Sequence, residues 1–408
     1  MKTLRLKEWS PEPVQLANLE LTRLLSVPKI LSLTPRDPSS GVYSVRPGSV
    51  VGTLVWPELR VLIKPKVELA NIFFLLGFRG GLADWAAESF PYEEEWDFLR
   101  SIAWAFRAEM ERGLRYGISR SYEEKSEVLP GFRGRLDVGR QIACWQGRPF
   151  PTECRFVEYG EDNLLNQVLR AASTRLIAAG GLGFDLVRSL QHIASELAAV
   201  DEVEFAPGRV PDVTFTRLNA QWEPAFRLAR LILNGETLRD ETGAAEGTAF
   251  TVDMNVLFEK FVEEVVADEA WSSGWELEPQ FRVRLTDRVP MKPDLVLLRE
   301  GRPAAVADAK YVELDEGWPN ANVYQLLAYC VALGLPRGLL IYASQRPPEV
   351  QRVRRSGTEL EIVGIDMSKP SDALVGEARI AARRLLAHAQ AAAGAHVGSR
   401  SAVATVVG

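Results

Sequence analysis

Cysteine and histidine are scarce in this chain of 408 residues. It contains three of each, namely Cys144, Cys154 and Cys330, and His192, His388 and His396. The cysteines are odd in number and form no close CxxC pair, so the sequence favours neither a structural zinc site nor a redox dithiol, and it predicts a reducing compartment. The histidines are too dispersed to favour a histidine-based metal site or a Ser-His-Asp triad.

The chain also lacks a basic excess and a long apolar run. It has 48 Lys and Arg residues and 54 Asp and Glu residues, which gives a net charge of -6. A protein that binds DNA unaided is usually basic, so binding of a nucleic-acid substrate would require a partner. The N-terminus has charges and prolines where a signal peptide has an apolar core, and no apolar run approaches the ~18 residues that span a bilayer. These patterns predict a cytoplasmic protein with no membrane partner.

Nucleotide-binding motifs are missing as well. The sequence has no GxxxxGK[ST] phosphate loop, no GxGxxG that follows a predicted strand, and no internal repeat. The chain is therefore not expected to bind or hydrolyse nucleoside triphosphates by those routes, and any motor would be another polypeptide.

The length exceeds that of one compact core, so several domains are expected. Residue patterns predict a mixed α+β or α/β protein, with a β-rich and helical N-terminal part and a C-terminal α/β domain. Apolar residues recur at helical spacing through Trp96 and Leu99. The segment 236–249 is polar, contains glycines and lacks periodicity, which is typical of a linker. The predicted regions are 1–115, a β-rich module with the first helices, 116–235, a helical middle region, 236–249, the linker, 250–370, the α/β domain, and 371–408, a C-terminal helix and tail.

Two short strands in the C-terminal domain carry acidic and basic side chains. Residues Asp294–Leu298 and Ala304–Tyr311 have strand character, and the glycine-containing turn between them predicts a hairpin. Because side chains alternate along a strand, Asp308 and Lys310 lie on one face. Asp294 opens the first strand directly after a proline, which is tolerated at that position. Its carboxylate is therefore expected to lie across the hairpin from the other two side chains.

Helices on either side of the hairpin add polar side chains. The helix predicted over Asp253–Val266 has Glu259 at the margin of its apolar face, where the carboxylate can lean toward the strands. The helix predicted over 321–333 has Gln325 and Tyr329 one turn apart at the edge of its apolar stripe. We expect these two side chains to support the site or to contact DNA.

Carboxylates and a lysine in this arrangement fit metal-dependent hydrolysis of phosphodiesters. Hard oxygen ligands suit Mg²⁺, and a lysine stabilises a nearby anion. Each motif alone is common, since an Asp-x-Lys pair is more often a solvated strand face. The order of helix with Glu, strand after Pro-Asp, strand with Asp-x-Lys and helix with Gln-x-x-x-Tyr is that of the PD-(D/E)xK nuclease core. The predicted catalytic residues are Asp294, Asp308, Lys310 and Glu259, the predicted metal ligands are Asp294, Asp308 and Glu259, and the predicted supporting residues are Gln325 and Tyr329.

Motifs in both halves of the chain point to one family. On the C-terminal side they are the helix 254–262, the pairs Pro293-Asp294 and Asp308-Ala309-Lys310, and the segment 324–329. On the N-terminal side they are Val51-Gly52 with the following Ile63-Lys64-Pro65-Lys66, then Phe132-Arg133-Gly134-Arg135-Leu136-Asp137, and residues 159–166. Together they resemble McrC, the nuclease subunit of McrBC restriction systems. The C-terminal motifs are shared with many nucleases, and the N-terminal motifs favour McrC.

The resemblance implies a type IV, 5-methylcytosine-dependent restriction system in phage defence, with a restriction-endonuclease-like PD-(D/E)xK domain at the C-terminal end. It also implies that residues before the linker dock on a ring-forming AAA+ GTPase of the McrB type and stimulate it. The partner, not this chain, would then bind GTP, and double-stranded, modified DNA would be the substrate. Arg133, Arg135 and Asp137, which alone are typical of a solvated turn, become candidates for contact with the partner or DNA.

Two other functions stay open. A stand-alone repair nuclease similar to RecB or Cas4 would share the core, but such nucleases often hold an iron-sulfur cluster with four cysteines and this chain has three. A non-catalytic stimulator of a partner NTPase would keep that activity after loss of the candidate catalytic residues, and it would never cut DNA.

Overall fold

The structure, a computed structural model, describes residues 1–37, 40–76, 97–146, 148–206, 208–233, 236–239, 246–312 and 320–404. It divides into two compact units, each built from segments that are distant in sequence. The first comprises Met1–Gly52, Val61–Trp96 and Thr251–Gly408, and the second comprises Thr53–Arg60 and Asp97–Phe250. The boundaries of the five predicted regions stay a sequence-based prediction.

Strands and helices alternate irregularly along the chain. The elements up to residue 76 are β1 (Lys2–Lys7), β2 (Glu12–Gln15), α1 (Asn18–Leu25), β3 (Leu31–Asp37), β4 (Val42–Pro47), β5 (Val50–Val55), β6 (Leu59–Lys64) and α2 (Leu69–Leu76). Those from 97 to 239 are α3 (Phe98–Leu114), β7 (Ser121–Leu129), β8 (Arg135–Leu136), α4 (Val138–Trp145), β9 (Thr152–Gly160), α5 (Leu164–Ala179), α6 (Phe184–Glu196), α7 (Glu223–Leu233) and β10 (Glu236–Arg239). Those from 246 onward are β11 (Glu246–Asp253), α8 (Met254–Ser272), β12 (Glu276–Pro279), β13 (Val283–Thr286), β14 (Val289–Met291), β15 (Leu295–Arg299), β16 (Arg302–Lys310), α9 (Asn320–Leu333), β17 (Arg337–Tyr342), β18 (Glu349–Arg352), β19 (Glu359–Gly364) and α10 (Ser371–Ala404).

Sheets and helices together confirm the predicted mixed α/β character. Among the described residues the strand orders are β1-β6-β5-β11-β10, β2-β4-β3, β7-β9-β8, β13-β14 and β12-β15-β16-β17-β19-β18. In the six-stranded sheet, β16 runs parallel to β17 and β17 parallel to β19, whereas β15 pairs antiparallel with both β12 and β16. Parallel neighbours need a crossover connection, and α9 lies between β16 and β17 in sequence.

The predicted strand pair is confirmed as the hairpin β15–β16. Its turn residues Glu300 and Gly301 have φ of 53° and 72°. Positive φ at both central positions is what a two-residue type I′ turn requires. Leu295 lies opposite Ala307 in the pairing register, so Asp294, one residue earlier, comes level with Asp308.

The six-stranded sheet has helices on its faces. Side chains Val296 and Val306 belong to a buried apolar cluster with Leu326 and Cys330 of α9. Along β16 the alternate residues are alanines, and α8 and α10 pack against this strand and against each other. In α8 the predicted apolar stripe is buried as expected, with Leu257, Phe258, Phe261, Val262, Val265 and Val266 inside. The helix continues to Ser272, beyond the predicted end.

N-terminal segments belong to the same compact unit as this sheet. Glu8 is fully buried, and its Oε2 accepts a hydrogen bond from the hydroxyl of Tyr311 at 3.1 Å. Burial raises the pKa of Glu8 to about 7. Asn71 in α2 donates to the backbone carbonyl of Met367 at 2.9 Å. Glu8, which directly follows β1, therefore holds the side chain of Tyr311, the residue after Lys310.

The middle region differs from its predicted helical character. Helices α5, α6 and α7 lie in the part where apolar periodicity predicted them, but residues 121–160 contain the β7-β9-β8 sheet. Strand β7 is rich in Glu and carries almost no buried residues on either face, so the sequence offers no alternating apolar signal. Strands β10 and β11 also fall in or beside the predicted linker 236–249. Trp96 of the predicted helical spacing lies outside the described residues.

The C-terminal helix α10 extends well past residue 393, where periodicity had weakened. Helix α10 contacts β19 through His388, whose Nε2 lies 2.8 Å from the carboxylate of Glu361. Among the residues that the structure describes, α10 and the other helices are all too short or too polar to cross a membrane.

Candidate active site

Four predicted residues meet at the end of the β15–β16 hairpin opposite its turn. The Lys310 ammonium nitrogen lies 3.0 Å from Asp308 Oδ2, 3.1 Å from Asp294 Oδ2 and 3.6 Å from Glu259 Oε1. Asp308 and Lys310 come from β16, Asp294 directly precedes β15, and Glu259 comes from α8. Side-chain alternation in β16 and the hairpin register are what bring the first three together.

Asp294 is held by hydrogen bonds from two directions. Its Oδ2 accepts from the backbone N–H of Ala309 at 3.1 Å, across the hairpin, in addition to Lys310. Its Oδ1 accepts from Gln280 Nε2 at 2.9 Å, and its backbone carbonyl accepts from the Gln280 N–H at 2.9 Å. Gln280 has a φ of 54°, a left-handed conformation that is unfavourable for a residue with a side chain. The strained residue thus fixes the orientation of the Asp294 carboxylate.

Asp308 is a buried carboxylate with unused hydrogen-bonding capacity. It is 1% exposed, and no described group donates a hydrogen bond to either of its oxygens. The 3.0 Å contact with Lys310 is an ion pair without hydrogen-bond geometry. Burial, and next the negative charge of Asp294, raise the pKa of Asp308 to about 7, against the opposing effect of Lys310. Buried oxygens without donors are unusual, and a cation of hard character would satisfy them.

The cluster places three carboxylates around one ammonium group. Burial lowers the pKa of Lys310, but Asp308 and then Asp294 outweigh this effect and hold it above its ordinary value. Burial and the charge of Asp294 raise the pKa of Glu259. Within the described ranges, no three His, Cys, Asp or Glu side chains surround a common point as metal ligands would. The ammonium of Lys310 is the cation that these carboxylates share.

The predicted supporting pair lies on α9. Gln325 Nε2 donates to the Tyr329 hydroxyl at 2.6 Å. Tyr329 is 3% exposed and packs in the apolar cluster beneath the sheet, whereas Gln325 is exposed. Burial raises the pKa of Tyr329 to about 12, and the negative charge of Asp308 adds to the rise. The tyrosine is therefore neutral, and it lies close enough to the carboxylates for their charge to raise its pKa.

Other residues of the site were not predicted from the sequence. Gln280 is one, and no motif marks it. Tyr342 is another: it lies level with Lys310 on the adjacent parallel strand, and its hydroxyl accepts from Asn322 Nδ2 at 2.9 Å. Burial raises the pKa of Tyr342 to about 12. Because the carboxyl ends of parallel strands meet at one edge, the end of β17 was the available signal for Tyr342.

Arg133, Arg135 and Asp137 belong to the second compact unit, where Arg133 and Asp137 each bond to neighbouring side chains. Arg133 lies 3.0 Å from the Glu158 carboxylate and stacks on the Phe156 ring, 4.0 Å from its centroid. Asp137 caps α4 by accepting from the Arg140 N–H at 3.1 Å, and this bond and those from Arg155 lower its pKa. Arg135 is exposed on β8.

The motif containing these residues also needs a glycine. Gly134 has a φ of 70°, and a Cβ at this position would lie 2.4 Å from the backbone carbonyl oxygen of Arg155. The glycine lets β8 approach β9, which holds Arg135 at the surface next to the exposed Phe132.

Comparison with known proteins agrees with this fold. A family model described as "McrBC 5-methylcytosine restriction system component" matches residues 45–343. The type IV methyl-directed restriction enzyme EcoKMcrBC of Escherichia coli (strain K12) is 19% identical over 336 residues, which cover 75% of this chain and 94% of that protein. A chain of an assembly of Thermococcus gammatolerans McrB AAA+ hexamers with bound McrC aligns with a TM-score of 0.61 at 20% identity, covering 94% of this chain and 99% of that one, and so shares its fold. Since the family model matches most of its length, the chain belongs to the McrBC 5-methylcytosine restriction system component family.

Proposed function

We propose that this chain is the Mg²⁺-dependent endonuclease subunit of a modification-dependent restriction system and cuts double-stranded DNA at a PD-(D/E)xK site. The observation that carries the proposal is the meeting of Asp308, Asp294 and Glu259 around Lys310, at 3.0, 3.1 and 3.6 Å. Carboxylates for a hard cation and a lysine for the phosphate are the groups that phosphodiester hydrolysis requires.

The chemistry of the donor set suits Mg²⁺, although the three carboxylates of the described site surround the Lys310 ammonium rather than a common metal position. Asp308 offers two buried oxygens that accept no hydrogen bond from a described group, and Asp294 offers a carboxylate already oriented by Gln280 and Ala309. Oxygen ligands of this kind suit Mg²⁺ rather than soft metals. Asp308 and Asp294 would hold the ion, and Glu259 would provide the third carboxylate.

The chain's own groups orient the reactants. Bound Mg²⁺ would supply a Lewis acid that lowers the pKa of water and neutralises charge on the phosphate. Lys310 donates toward the attacking water oxygen and toward the negative charge that grows on the phosphorus oxygens. A bond from the water oxygen to phosphorus forms while the opposite P–O ester bond breaks. The proton lost by the water passes to solvent, and the leaving oxygen takes up a proton from solvent. Tyr329 is kept neutral by burial in the apolar cluster beneath the sheet, where the negative charge of Asp308 also raises its pKa.

Gln280 is expected to act as a positioning residue. Replacing Gln280 with Asn introduces a residue type that tolerates positive φ but shortens the side chain, so its bond to Asp294 Oδ1 is lost. The expected result is a fall in kcat of about tenfold with an unchanged KM for DNA, because residues that orient metal ligands typically contribute that much. The matched control is Glu300→Asn, which makes the same backbone demand at φ 53° in the hairpin turn, away from the site. Equal kcat values for the two variants would contradict a positioning role.

We further propose that an AAA+ GTPase ring is the partner. The relatives named above are a McrBC enzyme and a chain from McrB AAA+ hexamers with bound McrC, while this sequence has no phosphate loop of its own. The second compact unit offers a docking surface around β7, β8, β9 and α4. Its exposed apolar side chains are Tyr122, Val128, Phe132, Leu136, Val138, Ile142, Val157 and Tyr159. A patch of this kind is typical of a protein interface.

Cleavage assays with and without the partner test the proposed function. The substrate is a plasmid carrying 5-methylcytosine, incubated with the purified chain, Mg²⁺, GTP and the AAA+ GTPase of the same restriction system. We expect cleavage that requires the GTPase and stops when EDTA removes Mg²⁺. Cleavage without the GTPase would identify a stand-alone nuclease, and stimulated GTP hydrolysis without cleavage would identify a non-catalytic stimulator.

A further inference from the structure

A small, strongly basic hairpin flanks the candidate active site. Strands β13 and β14 pair antiparallel and lie between β12 and β15 in the chain. The segment 281–293 holds four basic residues, Arg282, Arg284, Arg288 and Lys292, and a single acidic residue, Asp287. This local excess of positive charge contrasts with the net charge of -6 of the whole chain.

The two faces of the hairpin differ in character. Val283 lies opposite Met291, and Met291 packs against the apolar cluster beneath the sheet, so this face points inward. Because side chains alternate, Arg282, Arg284 and Lys292 share the outward face. All three are exposed. The basic residues therefore form one solvent-facing row, defined here as the basic face.

The basic face is not neutralised within the protein. None of its three side chains forms an ion pair with a carboxylate in the ranges that the structure describes. Arginines on other sheets do have such partners: Arg155 pairs with Asp137, and Arg337 lies 2.7 Å from Glu359. Three unpaired cations in a row are available for an external anion.

Both ends of the hairpin are attached to a candidate metal ligand. The strand β13 end follows Gln280, which bonds Asp294 through its backbone N–H and its side chain, each at 2.9 Å. The β14 end reaches Asp294 directly, two residues after Lys292. At ~3.3 Å per strand residue, Lys292 lies about 7 Å along the backbone from Asp294, and Arg282 lies about 7 Å along the backbone from Gln280. DNA carries one phosphate per ~3.4 Å of helix axis on each strand, so Arg282 and Arg284, about 7 Å apart along the backbone, can reach different phosphates.

We propose that the basic face binds the sugar-phosphate backbone of DNA next to the phosphate that is cut. The proposal rests on the proposed nuclease function and adds to it the element that aligns the substrate. The outward face carries charge and no large apolar side chain, whereas protein interfaces are anchored by buried aromatic or aliphatic groups. The basic face would thus give an acidic chain a local binding surface for DNA.

The test compares two double variants of the full chain with the same loss of charge. Arg282→Gln/Arg284→Gln removes two charges from the basic face, and Arg354→Gln/Arg355→Gln removes two exposed charges after β18, the strand at the opposite sheet edge. Binding to a short fluorescent DNA duplex is measured by anisotropy in EDTA over a series of salt concentrations. The hairpin variant is expected to lose about tenfold in affinity, with a slope of log K against log salt smaller by about 2. The control variant should keep the slope of the wild type.

Cleavage with the partner GTPase separates failure of this inference from failure of the proposed function. If the wild type cuts DNA and the hairpin variant binds and cuts like the control, the basic face is not a DNA contact, although the nuclease assignment stands. If the hairpin variant binds DNA normally but no longer stimulates the GTPase, the face binds the protein partner and the inference is overturned. If the wild type neither binds nor cuts any duplex, the proposed function fails and this inference fails with it.

Discussion

Replacing Asp308 with Asn is expected to reduce DNA cleavage by at least about 1,000-fold, because the variant loses the carboxylate that supplies the free oxygens of the site. The amide has nearly the same shape, so the fold and the docking of the partner should persist. Plasmid cleavage and GTP hydrolysis measured in the same reaction check both points. Cleavage at the wild-type rate by Asp308→Asn would remove the residue from the active site.

Stability should move in the opposite direction from activity in this variant. Asp308 is buried with two oxygens that receive no hydrogen bond from a described residue, which is costly for an ionised carboxylate. Thermal unfolding in EDTA is therefore expected to show a Tm for Asp308→Asn no lower than that of the wild type. The control is Glu276→Gln, which removes an exposed carboxylate on β12 of the same sheet and should change neither cleavage nor Tm. A collapse of the Tm in Asp308→Asn would instead indicate a structural role.

The local part of the site was predictable because it depends on short-range rules. The period of two in a strand placed Asp308 and Lys310 on one face, and a tight turn placed Asp294 across from them. The position of Glu259 at the margin of its helix face followed from the 100° step of the helix. The structure brings these four side chains together around Lys310. Their catalytic roles remain proposals.

The unpredicted contacts come from segments whose meeting is set by the tertiary fold. Glu8 bonds Tyr311 across 303 residues of sequence, and no local pattern links the two. Gln280 has to adopt a positive φ to bond Asp294, and glutamine is not a residue that signals this conformation. Strand β7 was not predicted for a different reason: it has no fully buried residue and lacks the apolar alternation by which strands are recognised.

Removing the Asp97 side chain should destabilise the second compact unit more than any surface change. Asp97 and Arg60 form a buried ion pair, with both side chains 6% exposed and 2.5 Å between Oδ2 and Nη2. Asp97 also accepts from the Thr53 hydroxyl at 3.1 Å and caps α3. In Asp97→Ala the Arg60 guanidinium stays buried without its counter-ion, and such losses cost about 3–5 kcal/mol in the free energy of unfolding.

Hydrogen exchange of the α3 amides at increasing urea concentration measures this loss, since it reports the unit that contains the pair. Glu111→Ala is the matched control, because it breaks the half-exposed Arg107–Glu111 pair on the same helix and should cost under about 0.5 kcal/mol. Arg60→Met combined with Asp97→Leu should recover part of the stability, since apolar groups of similar volume leave no buried charge behind. If Asp97→Ala costs no more than Glu111→Ala, the pair contributes nothing beyond a surface contact. If only Asp97→Ala lowers the free energy of unfolding, and the double variant recovers it, the loss is caused by the buried, unpaired charge of the Arg60 guanidinium. The absence of the Asp97 contacts alone would not be recovered in the double variant.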